Sequence, residues 1–254
     1  MTQPIRKDPS GSKSVERKII ALYRGLVNRY RAEMFDFVER HAGRALESPI
    51  QRIPIGAGDL ITSVQQLAGI TMSQQADLVA ETAAVLAFLH GRAWADKALS
   101  THGMVNTATG IQKLFFLPQE RAAIDKIKAR NVMEIQGMTD EIAKRMSRAM
   151  VEGFEKSESI NQLKARIRDV TDFGSNRAEV IARTETMRAV NGAARDRYRQ
   201  NGIDKVEFLA AWDDRVCPEC EGLHGKIFDL GDAPDLPVHP QCRCTLAPVI
   251  GGEE

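Results

Sequence analysis

The chain has no Gly-x-x-x-x-Gly-Lys-Ser/Thr phosphate loop, no Gly-x-Ser-x-Gly elbow and no His-Glu-x-x-His pair. The usual sequence routes to nucleotide hydrolysis, serine catalysis and zinc proteolysis are therefore missing. A formal net charge of +1 lacks the basic excess of a dedicated nucleic-acid binder, although it leaves room for a local basic face. No apolar run approaches the roughly 18 residues that cross a bilayer. The most hydrophobic stretch, Thr82-Ala-Ala-Val-Leu-Ala-Phe-Leu89, stops at His90-Gly-Arg. The N-terminal Met1-Thr-Gln-Pro-Ile-Arg-Lys-Asp-Pro-Ser has no apolar core of a signal peptide, so a soluble protein made in the cytoplasm is expected, with no membrane partner. What remains is ordinary globular material. At 254 residues, 43% hydrophobic and 27% charged, the chain can bury a sizeable core in one large domain or two smaller ones.

Cysteine is scarce as well, yet its four copies are bunched as Cys217-Pro-Glu-Cys220 and, after 18 intervening residues, His239-Pro-Gln-Cys242-Arg-Cys244. A CxxC sets two thiolates on one tight turn, and the second cluster returns two or three more ligands to close a tetrahedron. This mix of thiolate and imidazole suits zinc, and four protein ligands make a structural site. Such a metal would staple a loop-rich tail with too few apolar residues to fold unaided. The expected set is Cys217, Cys220, Cys242 and His239, with Cys244 in reserve; three or all four cysteines could ligate. Three readings compete. Two disulfides would need an oxidising compartment, and four cysteines are far from a disulfide scaffold. A thioredoxin-like CxxC should open a helix after a strand within βαβ units, whereas Glu221-Gly-Leu-His-Gly225 reads as a turn. Inert buried thiols are the third.

Residues 1–13 read as a disordered arm. Helical spacing follows through Ile19, Leu22/Tyr23, Leu26, Tyr30, Met34 and Val38. Pro49, Pro54 and Gly56-Ala-Gly58 break the chain, Gly69 interrupts the next helix, and a longer helix spans roughly 73–99. A loop from Thr101 feeds an apolar anchor, Leu114-Phe-Phe-Leu117, before Pro118 opens a helix. A domain boundary is placed near Asn131, giving a helical region 1–130 and a second domain 131–254. In the latter, Thr139 is expected to cap a helix to Phe154 and Asp172-Phe-Gly-Ser175 to end a short one. A long helix then runs from Asn176 to Gln200, with strands at 206–212, 226–228 and 245–249. The fold class is α+β: a mainly helical N-terminal half, then C-terminal helices with a small zinc-stapled β/loop region.

Several ordered motifs now stand together: Gly137-Met-Thr-Asp140, Ile181-Ala-Arg-Thr-Glu185, Asn191, Tyr198, Asn201-Gly-Ile203, Trp212-Asp-Asp-Arg-Val-Cys-Pro-Glu-Cys220, Leu223-His-Gly225 and His239-Pro-Gln-Cys-Arg-Cys244. They resemble the Mu F-like domain of phage head-morphogenesis (minor head) proteins over roughly residues 130–250. The resemblance implies a minor capsid protein, carried in few copies inside the phage head at the portal vertex and assembled in the host cytoplasm. Its implied partners are the portal protein and other head proteins, with phage DNA in members that act in packaging or delivery. Some longer relatives carry a C-terminal toxin domain; the ten residues after Cys244 are expected to leave no room for one. The family often has Asp where His224 stands, which adds a further ligand candidate.

The expectation is a structural protein, not an enzyme. The enzymatic alternative is a nuclease or ADP-ribosyltransferase-like site around Arg183, Thr184 and Glu185, with Glu185 as general base. The competing reading is a buried network of Arg183 and Glu185 tying the long helix to the zinc loops, with Asp213, Asp214 and Arg215 orienting ligands or satisfying loop backbone. A third alternative is a zinc-stabilised DNA-binding module using Arg177, Arg183, Arg188, Arg195, Arg197 and Arg199. His41, His90 and His102 read as solvated. The N-terminal helices are expected to be the docking element, with the Leu114–Leu117 anchor a candidate exposed patch.

Overall fold

The structure is a computed structural model and describes residues 8–46, 57–101, 103–104, 116–156, 158–213 and 215–250. Among the described residues, six α-helices and three strands follow in order: α1 Lys13–Leu46, α2 Ala57–Ala68, α3 Gln74–Ser100, α4 Pro118–Glu155, α5 Ile160–Gln200, β1 Lys205–Leu209, α6 Pro218–Leu223, β2 Ile227–Asp229 and β3 Thr245–Pro248. The architecture is α+β, as the sequence pattern implied. None of the described helices is long and apolar enough to cross a membrane.

The stripe read on α1 is buried, with Ile19, Tyr23, Leu26, Tyr30, Met34 and Val38 at 2% exposure or less. At Gly69, where an interruption was expected, the chain passes through one π-helical turn, Gly69–Ser73, before α3. Pro118 opens α4 as expected, and Glu120 caps its first turn by accepting the Leu117 N–H at 2.9 Å. Residues 8–12, inside the stretch read as a disordered arm, form a turn in which Asp8 accepts the N–H groups of Ser12 and Lys13.

Two expected helix ends are absent. Thr139 sits within α4, and its buried hydroxyl donates to the Ile135 carbonyl at 2.8 Å instead of capping a new start. The Asp172–Ser175 stop is likewise absorbed into α5. A Cβ on Gly174 would lie 2.6 Å from Ile142 Cδ1 and 3.2 Å from Val27 Cγ1, so this glycine serves close packing, not termination.

The chain forms two compact units, one from Met1–Ile19, Glu81–Ala129 and Val180–Glu254, the other from Ile20–Ala80 and Arg130–Glu179. The first contains the sheet, ordered β2-β1-β3 and antiparallel throughout. Phe208 faces Leu246 in the β1–β3 register. Its core gathers Leu99, Tyr198, Val206, Phe208 and Leu246 together with Cys220, Cys242 and Cys244. Helices α3 and α5 meet in this unit at Gly91, where a Cβ would stand 2.3 Å from the Val190 carbonyl oxygen. Gly91→Ala is therefore expected to cost about 1–3 kcal/mol by overpacking against rigid backbone. Gly192→Ala, with nothing within 4 Å, should instead stabilise α5 by roughly 0.5–1 kcal/mol. Urea denaturation of the two variants checks the opposite signs; equal shifts would remove the close approach as the explanation.

Candidate metal centre

The first ligand arm is built by a six-residue helix. Cys217 is extended (φ −85°, ψ 156°) and caps α6, with Pro218 at the first helical position and the Cys217 sulfur accepting the Cys220 N–H at 3.3 Å. The turn expected after the CxxC is thus a short helix, whose only buried residue is Cys220. Chain reversal follows at Gly225, φ +76°, a conformation that glycine adopts without strain. A redox CxxC would need parallel βαβ surroundings, whereas this sheet is antiparallel.

The second arm is a tight turn. The Cys242 N–H returns to the His239 carbonyl at 3.1 Å, and Gln241 between them takes φ +63°. That left-handed residue is held from α5: its N–H donates to Thr184 Oγ1 at 3.1 Å, and its side-chain oxygen accepts Arg183 Nη1 at 2.9 Å. His239 Nδ1 faces the Pro240 carbonyl at 2.9 Å, which can only accept, so Nδ1 carries the proton. Nε2 is then left as a lone pair toward sulfur, 3.2 Å from Cys217 and 3.3 Å from Cys220.

Two triplets emerge, Cys217/Cys220/His239 and Cys220/Cys242/Cys244, each with donor atoms within 4.8 Å of one another and each able to hold a metal ion. Cys220 belongs to both. The Cys220–Cys242 sulfurs stand 3.9 Å apart. Zinc bond lengths imply tetrahedral edges of ~3.8 Å between two sulfurs and ~3.5 Å between sulfur and nitrogen. The electrostatics divide the thiols. The Cys220 N–H lowers Cys217, while burial pushes Cys220 up to about 12. A hydrogen bond from Cys244 draws Cys242 down to about 5, and the same bond, reinforced by burial, raises Cys244. For His239, burial opposes the charged ring, but the Pro240 carbonyl and the thiolates of Cys242 and Cys217 outweigh it, and the net direction is up.

Residues 140–247 match the profile of the family described as Phage Mu protein F like protein, a span that takes in all five of these side chains. The C-terminal half resembles the Phage Mu protein F-like family. An uncharacterized protein of Haemophilus influenzae is 25% identical over 153 residues, 58% of this chain and 34% of the relative. An uncharacterized protein of Methanocaldococcus jannaschii is 32% identical over 103 residues, 39% of this chain and 16% of the relative. The chain thus spans about a third and about a sixth of the lengths of these two relatives. No solved structure matches it.

Within the Mu F-like region, two residues of α5 hold the strand that follows the cysteines. Asn191 donates to the Cys244 carbonyl at 3.1 Å and accepts Thr245 Oγ1 at 2.8 Å, while the Tyr198 hydroxyl donates to the Leu246 carbonyl at 3.2 Å. Arg183 lies 3.4 Å from Glu16 and reaches Gln241 of the ligand turn. Glu185, 6% exposed, pairs with Arg188 at 3.2 Å. A cavity of about 220 Å³ is lined by Arg92, Glu120 and Arg197 among others, and Glu185 is not part of its wall. Asp214 lies outside the described residues, and Arg215 is an exposed side chain 3.6 Å from Asp213.

His224 does not join the cysteines. Its Nδ1 accepts the Ala210 N–H at 3.2 Å, and its ring packs 5.0 Å from Trp212. His90, read as solvated, contacts the Ser10 carbonyl through Nε2 at 3.0 Å; His102 and the side chain of His41 lie outside the described residues. The arginines of α5 are largely engaged within the protein: Arg195 with Asp235 and the Ala233 and Pro234 carbonyls, Arg197 with Asp96, Arg199 with Asp196. In the apolar anchor, Phe116 packs edge-on against Phe88 and Leu117 is 53% exposed; Leu114 and Phe115 lie outside the described residues.

One ion pair beside the candidate donors escaped sequence reasoning. Asp213 and Arg243 form a two-pronged ion pair at 2.5 and 2.6 Å, joining the segment before Cys217 to the residue between Cys242 and Cys244. Arg243 holds the Asp213 carboxyl well below the usual carboxylate range. The signal available was the Asp-Asp-Arg run before the knuckle; nothing in the sequence paired it with a residue 30 positions on.

Proposed function

We propose that this protein is a phage head-morphogenesis protein, a minor head component carried inside the capsid and associated with the portal. Its Mu F-like region is stapled by one zinc ion on Cys217, Cys220, His239 and Cys242. The reading is carried by two donor triplets, Cys217/Cys220/His239 and Cys220/Cys242/Cys244, that meet at Cys220 inside the family-matched segment. Four protein ligands leave no open position for substrate, which favours a structural metal. The non-enzymatic reading also draws support from Glu185, which is buried and ion-paired and does not face the cavity. The intramolecular pairing of the α5 arginines leaves little charge for phosphates.

Docking onto the portal or the inner head surface falls to the helices of the N-terminal half, where Ile70 and Leu78 are 55% and 73% exposed. The test is co-purification of the full chain with the cognate portal ring and its recovery in particles. Retention that Leu78→Glu abolishes without altering helical circular dichroism is the expected result. A chain that neither binds the ring nor enters particles removes the minor-head reading, and retention on DNA that falls steeply with salt would favour the DNA-binding module instead.

A further inference from the structure

The two ligand-bearing segments are joined by a connection that contains no metal donor. Arg243 stands between Cys242 and Cys244, and Asp213 stands four residues before Cys217. Nη1 donates to Asp213 Oδ2 at 2.5 Å and Nη2 to Oδ1 at 2.6 Å, with the side chains 13% and 9% exposed. A fork of two parallel charge-assisted bonds fixes angle as well as distance between its loops. Each end is itself anchored. Asp213 Oδ1 accepts the Arg215 N–H and its carbonyl accepts the Val216 N–H, both at 3.0 Å, so the carboxylate is set by the turn that leads into Cys217. On the other side, the Cys242 N–H is held by the His239 carbonyl and the Cys244 carbonyl by Asn191, both at 3.1 Å. The main chain flanking Arg243 is thus pinned on both sides.

From this geometry we infer that Asp213 and Arg243 are positioning residues, a metal-independent latch that keeps the Cys217–Cys220 knuckle and the His239–Cys244 turn at ligation distance and so slows metal release. The inference rests on the metal reading above. A bare distance constraint would leave the arms free to swing once a ligand detaches. The latch keeps a detached sulfur beside the ion, where religation outruns escape. Arg215, 67% exposed and 3.6 Å from Asp213, has neither the fork nor the burial and serves as an internal control.

The experiment loads the full chain with cobalt(II), whose visible spectrum reports the sulfur and nitrogen donor set, and follows its release to excess chelator. Asp213→Asn keeps an acceptor for the Arg215 N–H but loses the ion pair; Arg243→Lys keeps the charge but loses the fork. Both are expected to show the parent spectrum and to release cobalt about 10–100-fold faster, the range typical when a group that orients metal ligands is lost. Arg215→Gln should stay within twofold of the parent, and the charge-swapped double variant Asp213→Arg/Arg243→Asp should recover part of the loss. Amide hydrogen exchange on the metal-free chain provides a second reading. Residues 239–244 should be protected in the parent and lose that protection in Arg243→Gln. Release rates within twofold of the parent, or unchanged exchange in the metal-free chain, overturn the latch while leaving the metal site standing. A parent chain that takes up no cobalt overturns the metal reading, and the latch with it.

Discussion

On the metal reading proposed above, chelation of the full chain is expected to free residues 217–224 while leaving the long helices, the β1–β3 pair and the turn at 239–244 that Arg243 holds in place. The reason lies in how each segment is held. Helix α6 buries only Cys220, so little apolar area keeps this arm down without a metal, whereas the turn from His239 to Cys244 is held by Thr184, Asn191 and the Arg243–Asp213 pair. Structural zinc contributes apparent energies on the order of 10 kcal/mol in small peptides, as large as the stability of a whole domain. Strands β1 and β3 have their own anchors in Val206, Phe208 and Leu246, each at 2% exposure or less, and in the bonds from Asn191 and Tyr198. Limited proteolysis with and without chelator should therefore show new cuts within 217–224 but none within 205–209 or 239–244. Replacing Cys217, Cys220, Cys242 or His239 with Ser or Ala should abolish the single equivalent of zinc. Cys244→Ser should keep it if Cys244 is only the reserve donor of the Cys220/Cys242/Cys244 triplet. Two protected disulfides with no metal would sink the assignment, and unfolding of the whole chain at the same chelator concentration would show the staple and helices to be one cooperative unit.

Features governed by local spacing were legible in the sequence. The α1 stripe repeats every three or four residues and is buried along its length, and the three strands fall within about three residues of their expected ends because glycines and turns bound them. The closeness of the cysteine arms follows the same logic: CxxC and HxxCxC spacings keep candidate donors within a few residues of one another, and the fold brings them into two triplets. Helix boundaries at 139 and 172–175 were not, because Thr and Gly signal a break only when nothing else uses them. Here the Thr139 hydroxyl turns back to Ile135, and Gly174 leaves space for Ile142. Pairs separated by long stretches of chain left no trace. Asp213 with Arg243, Glu16 with Arg183 and Tyr198 with Leu246 are chosen by tertiary packing, and one sequence contains no period that records them.

The last of these pairs should dominate the stability of the sheet. Tyr198 is fully buried near the end of α5, in the same apolar cluster as Leu99, Phe208 and Leu246, and its hydroxyl donates to the Leu246 carbonyl. Burial pushes the phenol well above its ordinary range, so it remains a neutral donor throughout physiological pH. Tyr198→Ala removes the ring and leaves a cavity, an expected loss of about 3–5 kcal/mol, which for a chain of this size lowers Tm by on the order of 10 °C. Tyr198→Phe keeps the packing and strands one carbonyl, an expected loss of about 1–2 kcal/mol. The difference between the two carries the argument, because it separates the ring's contribution from the hydroxyl's. β3 begins at the residue after Cys244, so loosening Leu246 should also loosen the end of the ligand turn. Zinc release should therefore quicken in the alanine variant and stay near the parent rate in the phenylalanine one. Calorimetry and chelator-driven release on the same preparations check both statements. A Tyr198→Ala protein within 1 kcal/mol of the parent would mean that the sheet is held chiefly by its own strand pairing and the metal, with α5 a bystander.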